Sequence, residues 1–345
     1  MRRTATKLVT ALAGLSLLTA CSTGSTETAE ETSGSTTSVE EGAFPVTIEH
    51  AFGETTIESE PKRVATLGWT DQDNALALGV VPVGATKISW GGNDQGSTDW
   101  FDAELEEVGG EAPVRYDDSA GAPIQEIAET APDLILATNS GITEAEYKKL
   151  SKIAPVVPYP EAPFVTPWET QVELAGEALG RSELAAEVIE ETTSTIEEAK
   201  AEHPDLQGTS FIFAYFTPTK LSSVSVYSNE DPRVAILERF GLVTADVVES
   251  TVEKGKFYGD VPAEEAETLD SDLLLTYVET EDELETYQKD KLLGRIPALA
   301  AGHVYAEVDK HLGLSITNPT PISIPFIVEN YLPKVAEAAA GANGS

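Results

Sequence analysis

The sequence predicts an α/β protein with two lobes that are joined by one long helix and leave a ligand cleft between them. Three observations carry this prediction. Strand-like and helix-like segments alternate over residues 44–167, residues 168–203 show no strand pattern, and the alternation resumes over residues 204–341. Strands that alternate with short helices are typical of a mainly parallel sheet, and a cleft between two lobes is the usual place for a small ligand.

The first lobe is predicted to begin with a β-hairpin, because VTIEHAFGETTIES (46–59) alternates apolar and polar residues around a glycine turn. The predicted strands that follow are RVATLGW, VVPVGAT, PDLILAT and PVVPY, and the predicted helices between them are DQDNALALG, PIQEIAETA and EAEYKKLSKIA. PDLILAT is an apolar run, which is typical of a buried strand. GGNDQGSTDWF is rich in glycine and aspartate and is expected to be a loop that Trp100 packs down.

The connecting segment is predicted to be helical. It consists of WETQVELAGEALG followed by SELAAEVIEETTSTIEEAKAEH, in which Leu184, Val188 and Ile196 have roughly helical spacing. The second piece exceeds twenty residues, which is long for an ordinary crossover helix. In the second lobe the predicted strands are SFIFAYF, SDLLLTYV and AGHVYAEV, and the predicted helices are PRVAILERFG, AEEAETLD and IPFIVENYLPKVAEAAA.

Residues 1–20 have the pattern of a secretory signal, because three basic residues precede the apolar run of residues 8–18. This run is too short to cross a membrane as a helix. Residues 18–21 are similar to a bacterial lipobox, which implies cleavage before Cys21 and a diacylglyceryl group on its sulfur. An ordinary signal peptide with an unrelated cysteine is the alternative.

Residues 21–43 are expected to form the lipidated cysteine and a disordered tether. After Cys21, the only cysteine, the chain consists of Ser, Thr, Gly and Glu with almost nothing apolar, so it cannot bury enough surface to fold. We therefore expect an exported protein that its lipid holds at the outer face of the cytoplasmic membrane.

The chain is strongly acidic, with 22 Lys and Arg residues against 59 Asp and Glu residues and a net charge of −37. Residues 1–20 hold three basic residues and no acidic one, so their removal leaves a mature chain of −40. A surface of this charge repels nucleic acid and anionic lipid headgroups, which excludes nucleic-acid binding.

Four stretches, taken in order, resemble a known family. They are RVATLGWTDQDNALALGVVPVGAT (63–86), IQEIAETAPDLILAT (124–138), AEEAETLDSDLLLTY (263–277) and RIPALAAGHVYAEVD (295–309). Together with the lipobox they resemble the substrate-binding lipoproteins of iron–siderophore ABC importers. These belong to the helix-backbone class of binding proteins that also includes haem and cobalamin binders.

The resemblance implies two Rossmann-like lobes, a rigid connecting helix and a ferric chelate bound in a shallow cleft, with small lobe movements instead of wide closure. It implies two partners, a ferric siderophore and the permease of an ABC importer. The protein is then expected to be a monomer without a cofactor, in which the chelator alone holds the iron. Haem or cobalamin binding by the same fold is the alternative.

In this family one surface glutamate of each lobe pairs with arginines of the permease. By position, the first lobe offers Gln125 with Glu126 beside it, and the second lobe offers Glu264 with Glu265 beside it. Gln125 departs from the family pattern, so either Glu126 takes the role or the contact is weaker. For Glu264 the alternative is a solvated acid at a helix start, where the helix dipole favours it.

Candidate ligand-binding residues are aromatic, amide or cationic side chains at strand ends and in the loops that follow them. Ferric chelates present aromatic or amide-rich faces and often carry negative charge, so flat rings and a few cations suit them. The candidates are Trp69, Trp90, Arg115, Tyr116, Asn139, Tyr215, Tyr227, Arg233, Tyr258 and Arg295.

Several candidates have a second interpretation. Arg115 could meet an anionic chelate or pair with a neighbouring aspartate, and Arg295 could lie on the surface. One of Tyr215 and Phe216 should face the core, because side chains alternate along a strand. Arg233 follows a predicted N-cap, and a cation in the first turn of a helix is unfavourable for stability alone, which favours a functional role.

Metal binding by protein side chains is not indicated. The chain has four histidines, whereas zinc- or manganese-binding relatives need several converging imidazoles and carboxylates. Haem ligation by one His and one Tyr stays open, with His311 as the candidate, although a surface histidine is the preferred interpretation.

An enzyme is not indicated either. The sequence holds no GxSxG elbow, no glycine-rich phosphate loop and no HExxH motif. Carboxylate pairs are uninformative in so acidic a chain. We therefore expect a binding protein, with an envelope hydrolase as a remote alternative.

Overall fold

The first lobe of the computed structural model, which describes residues 39–343, has a five-stranded parallel sheet and a separate hairpin. The strands are β1 (Val46–His50), β2 (Gly53–Ile57), β3 (Val64–Thr66), β4 (Gly84–Thr86), β5 (Val114–Tyr116), β6 (Leu134–Ala137) and β7 (Val156–Pro158). The hairpin pairs β1 with β2, and the sheet has the order β5-β4-β3-β6-β7. Every pair in this sheet is parallel, as the alternation of strands and helices predicts.

The helices of the first lobe are α1 (Asp71–Ala77), α2 (Asp99–Glu107), α3 (Ile124–Glu129) and α4 (Glu144–Leu150). Helix α2 was not predicted, because its sequence begins in the glycine-rich stretch. The side chain of Thr98 caps α2 by accepting a hydrogen bond from the backbone N–H of Phe101. Trp100 therefore lies on a helix and is buried.

Two helices connect the lobes, α5 (Trp168–Leu179) and the 21-residue α6 (Ser182–Glu202). They are separated at Gly180, whose φ of 66° is left-handed and ends α5 without the penalty that a side chain would add. The backbone N–H of Glu40 donates to Gly180 O at 3.0 Å. The part of the expected tether that the structure describes thus contacts the connecting helices, while Cys21 and the signal segment lie outside the described residues.

The second lobe has a mixed six-stranded sheet. Its strands are β8 (Ser210–Thr217), β9 (Lys220–Tyr227), β10 (Val243–Thr244), β11 (Tyr258–Pro262), β12 (Leu273–Tyr277) and β13 (Val304–Glu307). The order is β11-β9-β8-β12-β13, with β10 beside β8. Strands β9 and β11 are antiparallel additions that the sequence did not predict. In β9 only Val224 and Val226 are buried, so its apolar pattern is short.

The remaining helices are α7 (Pro232–Arg239), α8 (Asp246–Thr251), α9 (Glu281–Lys289), α10 (Pro297–Ala301), α11 (Lys310–Thr317), α12 (Ile324–Asn330) and α13 (Leu332–Asn343). Short 3-10 segments cover Pro204–Leu206, Ala263–Thr268 and Leu293–Arg295. The predicted closing helix is divided at Tyr331, two residues before Pro333, which has no N–H to continue a helix. Within residues 39–343, no helix combines the length and the apolar character needed to cross a bilayer.

Buried side chains connect the two lobes. One apolar cluster includes Leu136 of β6, Ile196 of α6 and Phe213 of β8. A second cluster packs Leu314 of α11 against residues of α1 and α2. Because separation of the lobes would expose these clusters to water, the packing opposes wide opening of the cleft.

Candidate functional site

A cleft between the lobes is lined by the loops that follow the strands of the first lobe and by parts of the second lobe. Its first pocket has a volume of about 440 Å³, which is typical of small-molecule sites. The side chains on its wall include Trp69, Asn139, Phe164, Arg233, Phe257 and Asn318. The C-terminal ends of β3 and β6 place Trp69 and Asn139 here, where parallel sheets usually bind ligands.

The floor of the first pocket is polar and closely packed. Asn139 is 5% exposed, and its Oδ1 has no hydrogen-bond partner. Gly68 has a φ of 89°, and a Cβ there would lie 2.7 Å from the carbonyl oxygen of Asn139, so only glycine fits. Asp71 lies beside Gly68 and accepts hydrogen bonds from the backbone N–H and the hydroxyl of Thr138. Burial nevertheless raises the pKa of Asp71 to about 6.

Arg233 occupies the junction of the two lobes. Its Nε donates to Oδ1 of Asp231 at 2.7 Å, and the two side chains are 13% and 3% exposed. The guanidinium lies over the ring of Tyr227 at 4.1 Å from the ring centre. Burial alone would lower the pKa of Arg233. The nearby Asp231 carboxylate and the tyrosines Tyr277 and Tyr227 more than offset this effect, so the pKa is raised and the guanidinium stays protonated.

A second pocket of about 370 Å³ adjoins the first and shares Arg233 and Thr317 with it. Its aromatic wall consists of Trp90, Tyr215, Tyr227 and Tyr277, together with Phe216. The rings of Trp90 and Tyr277, one from each lobe, meet edge to face with centres 5.5 Å apart. The cleft is therefore a joined pair of aromatic pockets around one arginine.

Six of the ten sequence candidates line these pockets. They are Trp69, Trp90, Asn139, Tyr215, Tyr227 and Arg233. Tyr215 is 41% exposed whereas Phe216 is 1% exposed, so the strand alternation resolves the choice between them. Tyr258 lies beside this group but lines neither pocket, and its ring centre is 6.2 Å from that of Tyr227.

The structure places three other candidates away from the cleft. Tyr116 is 1% exposed, and its hydroxyl donates to the carbonyl oxygen of Thr66 inside the core. Arg115 donates from Nη2 to Oγ of Ser97 at 2.7 Å and stacks over Phe101 instead of pairing with a neighbouring aspartate. Arg295 forms an exposed ion pair with Glu267.

Sequence reasoning missed Phe164, Phe257 and Tyr277. Phe164 is 50% exposed with a φ of 63°, and its ring covers Gly141, where an added Cβ would lie 2.3 Å from the ring. Such a backbone is costly for a residue other than glycine and indicates an imposed conformation. Tyr277 is an aromatic residue at the end of strand β12, so the strand-end criterion that identified Trp69 could also have identified it.

The four docking candidates are exposed on the surface. Gln125 and Glu126 lie in the first turn of α3, and Glu264 and Glu265 lie in the 3-10 segment Ala263–Thr268. Nε2 of Gln125 donates to Glu129 at 3.0 Å. Both segments are thus accessible to a partner.

His311 bridges the lobes instead of facing the pockets. Its Nδ1 donates to the carbonyl oxygen of Gly91 at 2.7 Å, and its ring packs between Trp100 and Phe326. These contacts leave His311 badly placed as a haem ligand. Among residues 39–343, no three His, Cys, Asp or Glu side chains are grouped so that they could hold a metal ion.

Comparisons with known proteins agree with this geometry. Residues 64–308 match the family described as periplasmic binding protein. A structure of PiaA from Streptococcus pneumoniae TIGR4 in complex with ferrichrome is 36% identical, and the match covers 86% of this chain and 99% of that one with a TM-score of 0.82. A periplasmic solute binding protein from Mycobacterium smegmatis is 29% identical, with 85% and 98% coverage and a TM-score of 0.71.

A further relative is the probable siderophore-binding lipoprotein YfiY of Bacillus subtilis (strain 168). It is 28% identical over 201 residues, which cover 58% of this chain and 56% of that protein. The match thus spans little more than half of the relative. The structural similarities confirm the fold of two α/β lobes around a cleft.

Proposed function

The chain belongs to the periplasmic binding protein family, and from that premise we propose that it captures a ferric siderophore outside the cytoplasmic membrane and delivers it to an ABC importer. One observation carries the proposal: two joined pockets between the lobes are walled by aromatic rings around the single arginine Arg233. Flat rings pack against the organic shell of a chelate, and the arginine donates hydrogen bonds to its oxygen atoms.

The remaining features of the proposal follow from the family and the sequence. The family consists of solute-binding proteins, and the protein is proposed to act as a monomer without catalysis. The lipid on Cys21 would hold it near the permease, and the relative from Bacillus subtilis is named a lipoprotein. PiaA was crystallised with ferrichrome, which makes ferric hydroxamates the first ligands to test.

The proposed function is tested by titration of the purified protein with ferric siderophores of several classes and with hemin. Trp69 and Trp90 line the pockets, so a bound chelate should quench tryptophan fluorescence at micromolar or lower concentrations. Absence of quenching by every chelate, together with a shifted Soret band for hemin, would replace the siderophore proposal with haem binding.

Replacement of Trp69 by alanine is expected to weaken siderophore binding about tenfold, because a ring that packs on the ligand is removed. Isothermal titration calorimetry measures the change. The matched control is Tyr116→Phe, which removes a hydroxyl that donates to Thr66 O in the core and should leave affinity unchanged. Equal affinities for Trp69→Ala and the native protein would contradict the proposed position of the ligand.

Charge reversal at the proposed docking surface is expected to reduce uptake without changing affinity for the chelate. Glu126→Lys and Glu264→Lys each place a cation where permease arginines are proposed to bind, and like charges at an interface are strongly unfavourable. Radiolabelled iron uptake by cells and binding by the purified variants separate the two effects. Gln125→Lys tests the neighbouring position, and normal uptake by all three variants would refute docking through these segments.

A further inference from the structure

The lining of the cleft has an excess of negative charge. The first pocket contributes Asp118, Glu146 and Asp231, and the second contributes Glu279, Glu283, Glu307 and Asp309. Against these seven carboxylates stand two cations, Arg233 and Lys310. Each cation is already paired, Arg233 with Asp231 at 2.7 Å and Lys310 with Glu279 at 2.6 Å. Five carboxylates of the lining therefore have no cation from the lining, and one of them, Glu307, lies 3.7 Å from Lys334 outside it.

Two of these carboxylates, Glu283 and Asp309, line the second pocket, where Glu283 is half-buried and Asp309 is exposed. Oε2 of Glu283 accepts the backbone N–H of Glu279 at 2.8 Å, and Oδ1 of Asp309 accepts the N–H of His311 at 2.9 Å. Neutral N–H groups orient the carboxylates but do not cancel their charge. Within residues 39–343, neither carboxylate has a Lys, Arg or His nitrogen within 4.0 Å.

The same pocket supplies aromatic faces. Trp90, Tyr215 and Tyr277 lie on its wall, and Tyr215 is 41% exposed. The electron-rich faces of these rings attract cations, by about 0.5–1 kcal/mol at exposed sites. Carboxylates and aromatic rings around one opening are the two kinds of group that bind an ammonium ion, so the pocket is complementary to a positive charge.

We infer that the second pocket receives a positively charged substituent of the ferric chelate, so that the protein prefers cationic chelates to neutral ones and neutral chelates to anionic ones. This inference rests on the proposed siderophore function. The substrate class is then a ferric hydroxamate that is neutral at the iron and bears a free amine. Anionic catecholate and carboxylate complexes would meet the unpaired carboxylates of Glu283 and Asp309 and be repelled.

Three ferric trihydroxamates that share one iron centre test the inference. One bears a free primary amine, the second is its N-acetyl derivative, and the third is its N-succinyl derivative, so the net charge falls stepwise from positive through neutral to negative. We expect each step to raise Kd about fivefold at low salt, as for exposed charge pairs. High salt should shrink these ratios because it screens the carboxylates.

Two substitutions in the second pocket test whether Glu283 and Asp309 cause the preference for cationic chelates. Glu283→Gln and Asp309→Asn remove charge but keep an oxygen that accepts the backbone N–H, and asparagine remains a good cap for α11. In the double variant the ratio between the amine and its N-acetyl derivative should fall from about fivefold to near one. The control Glu187→Gln removes an exposed charge from α6 and should keep the ratio.

The outcomes separate the inference from the function on which it rests. Equal Kd values for the three chelates, or tightest binding of the N-succinyl form, would overturn charge selection while leaving siderophore capture intact. A ratio that persists in the double variant would overturn the assignment to Glu283 and Asp309. Failure of all three chelates to bind would remove both proposals.

Discussion

Replacement of Arg233 by alanine is expected to weaken siderophore binding roughly tenfold to a hundredfold, because hydrogen bonds from a charged donor are lost. Asp231 engages Nε of Arg233, and the Nη side of the guanidinium, which lines both pockets, is the proposed donor to chelate oxygen atoms. The free energy of unfolding should also fall by about 3 kcal/mol, because removal of one partner leaves the other charge buried. Calorimetry and urea unfolding measure the two effects.

The loss of unfolding free energy in Arg233→Ala should depend on pH. Burial raises the pKa of Asp231, and the nearby Arg233 partly opposes that rise. Without Arg233 the pKa of Asp231 rises further, so protonation of this carboxyl stabilises the folded variant as the pH falls. The loss is therefore largest near neutral pH and shrinks in mild acid.

A double variant separates the two roles of the arginine. Asp231→Asn combined with Arg233→Ala removes the unpaired charge, and the asparagine can still cap α7 as Asp231 does. We expect the double variant to recover much of the stability but none of the affinity. Recovery of both would mean that Arg233 acts only through Asp231.

Most of the first lobe could be predicted from sequence, because four of the five strands of its sheet, β3, β4, β6 and β7, lie in short apolar runs, whereas helix α2 begins in a glycine-rich stretch and was not predicted. Its sheet is parallel throughout, and every residue of β3, β4, β6 and β7 is buried, whereas the edge strand β5 exposes Val114. The antiparallel strands of the second lobe escaped prediction for a physical reason. Strand β9 exposes one face, so KLSSVSVY contains only two buried apolar residues. Strand β11 follows a lysine- and glycine-rich turn and buries only Val261.

The site could be predicted in part, because position at a strand end is visible in sequence whereas side-chain direction is not. Trp69 and Asn139 follow strands and reach the cleft. Tyr116 also ends a strand, but the alternation along β5 points it into the core. Phe164 lies in a loop without periodicity, and its left-handed backbone leaves no mark in the sequence.

Lowering the pH from about 7.5 to about 5 is expected to stabilise the protein through Asp71 and Asp73. The two carboxyls are 0% and 2% exposed near the start of α1. Burial raises the pKa of each from 3.8 to about 6, although hydrogen bonds from Thr138 to Asp71 and from Thr320 and Trp100 to Asp73 oppose the rise. A folded pKa above the unfolded value means that protonation favours the folded state.

The raised pKa values of Asp71 and Asp73 determine the pH range in which they affect stability. The stabilising contribution of these aspartates is fully present below about pH 4 and is lost as the pH rises through about 6, and each accounts for roughly 3 kcal/mol at most. Carboxyls such as Glu144 and Asp272, whose pKa values are lowered by hydrogen bonds and nearby cations, act in the opposite direction. Their window lies below their ordinary pKa values. His50, whose pKa burial lowers, also acts in the opposite direction below about pH 6.5, but it is one group against two aspartates with large shifts, so we expect the buried pair to determine the net sign between about pH 5 and about pH 7.

Asp71→Asn isolates one member of the pair. An asparagine oxygen can accept both bonds from Thr138, whereas its amide NH2 replaces the unpartnered Oδ2 and adds a buried donor, which costs about 1 kcal/mol of the gain. The variant should therefore be more stable than the native protein at about pH 7.5, by about 2 kcal/mol, and should show a flatter dependence of unfolding free energy on pH. Urea unfolding is measured at high salt, which screens the repulsion within a chain of net charge −37, so that the pH dependence reports on the buried aspartates. The exposed Asp94→Asn should keep the native slope, and an unchanged slope in Asp71→Asn would show that Asp71 does not carry the raised pKa.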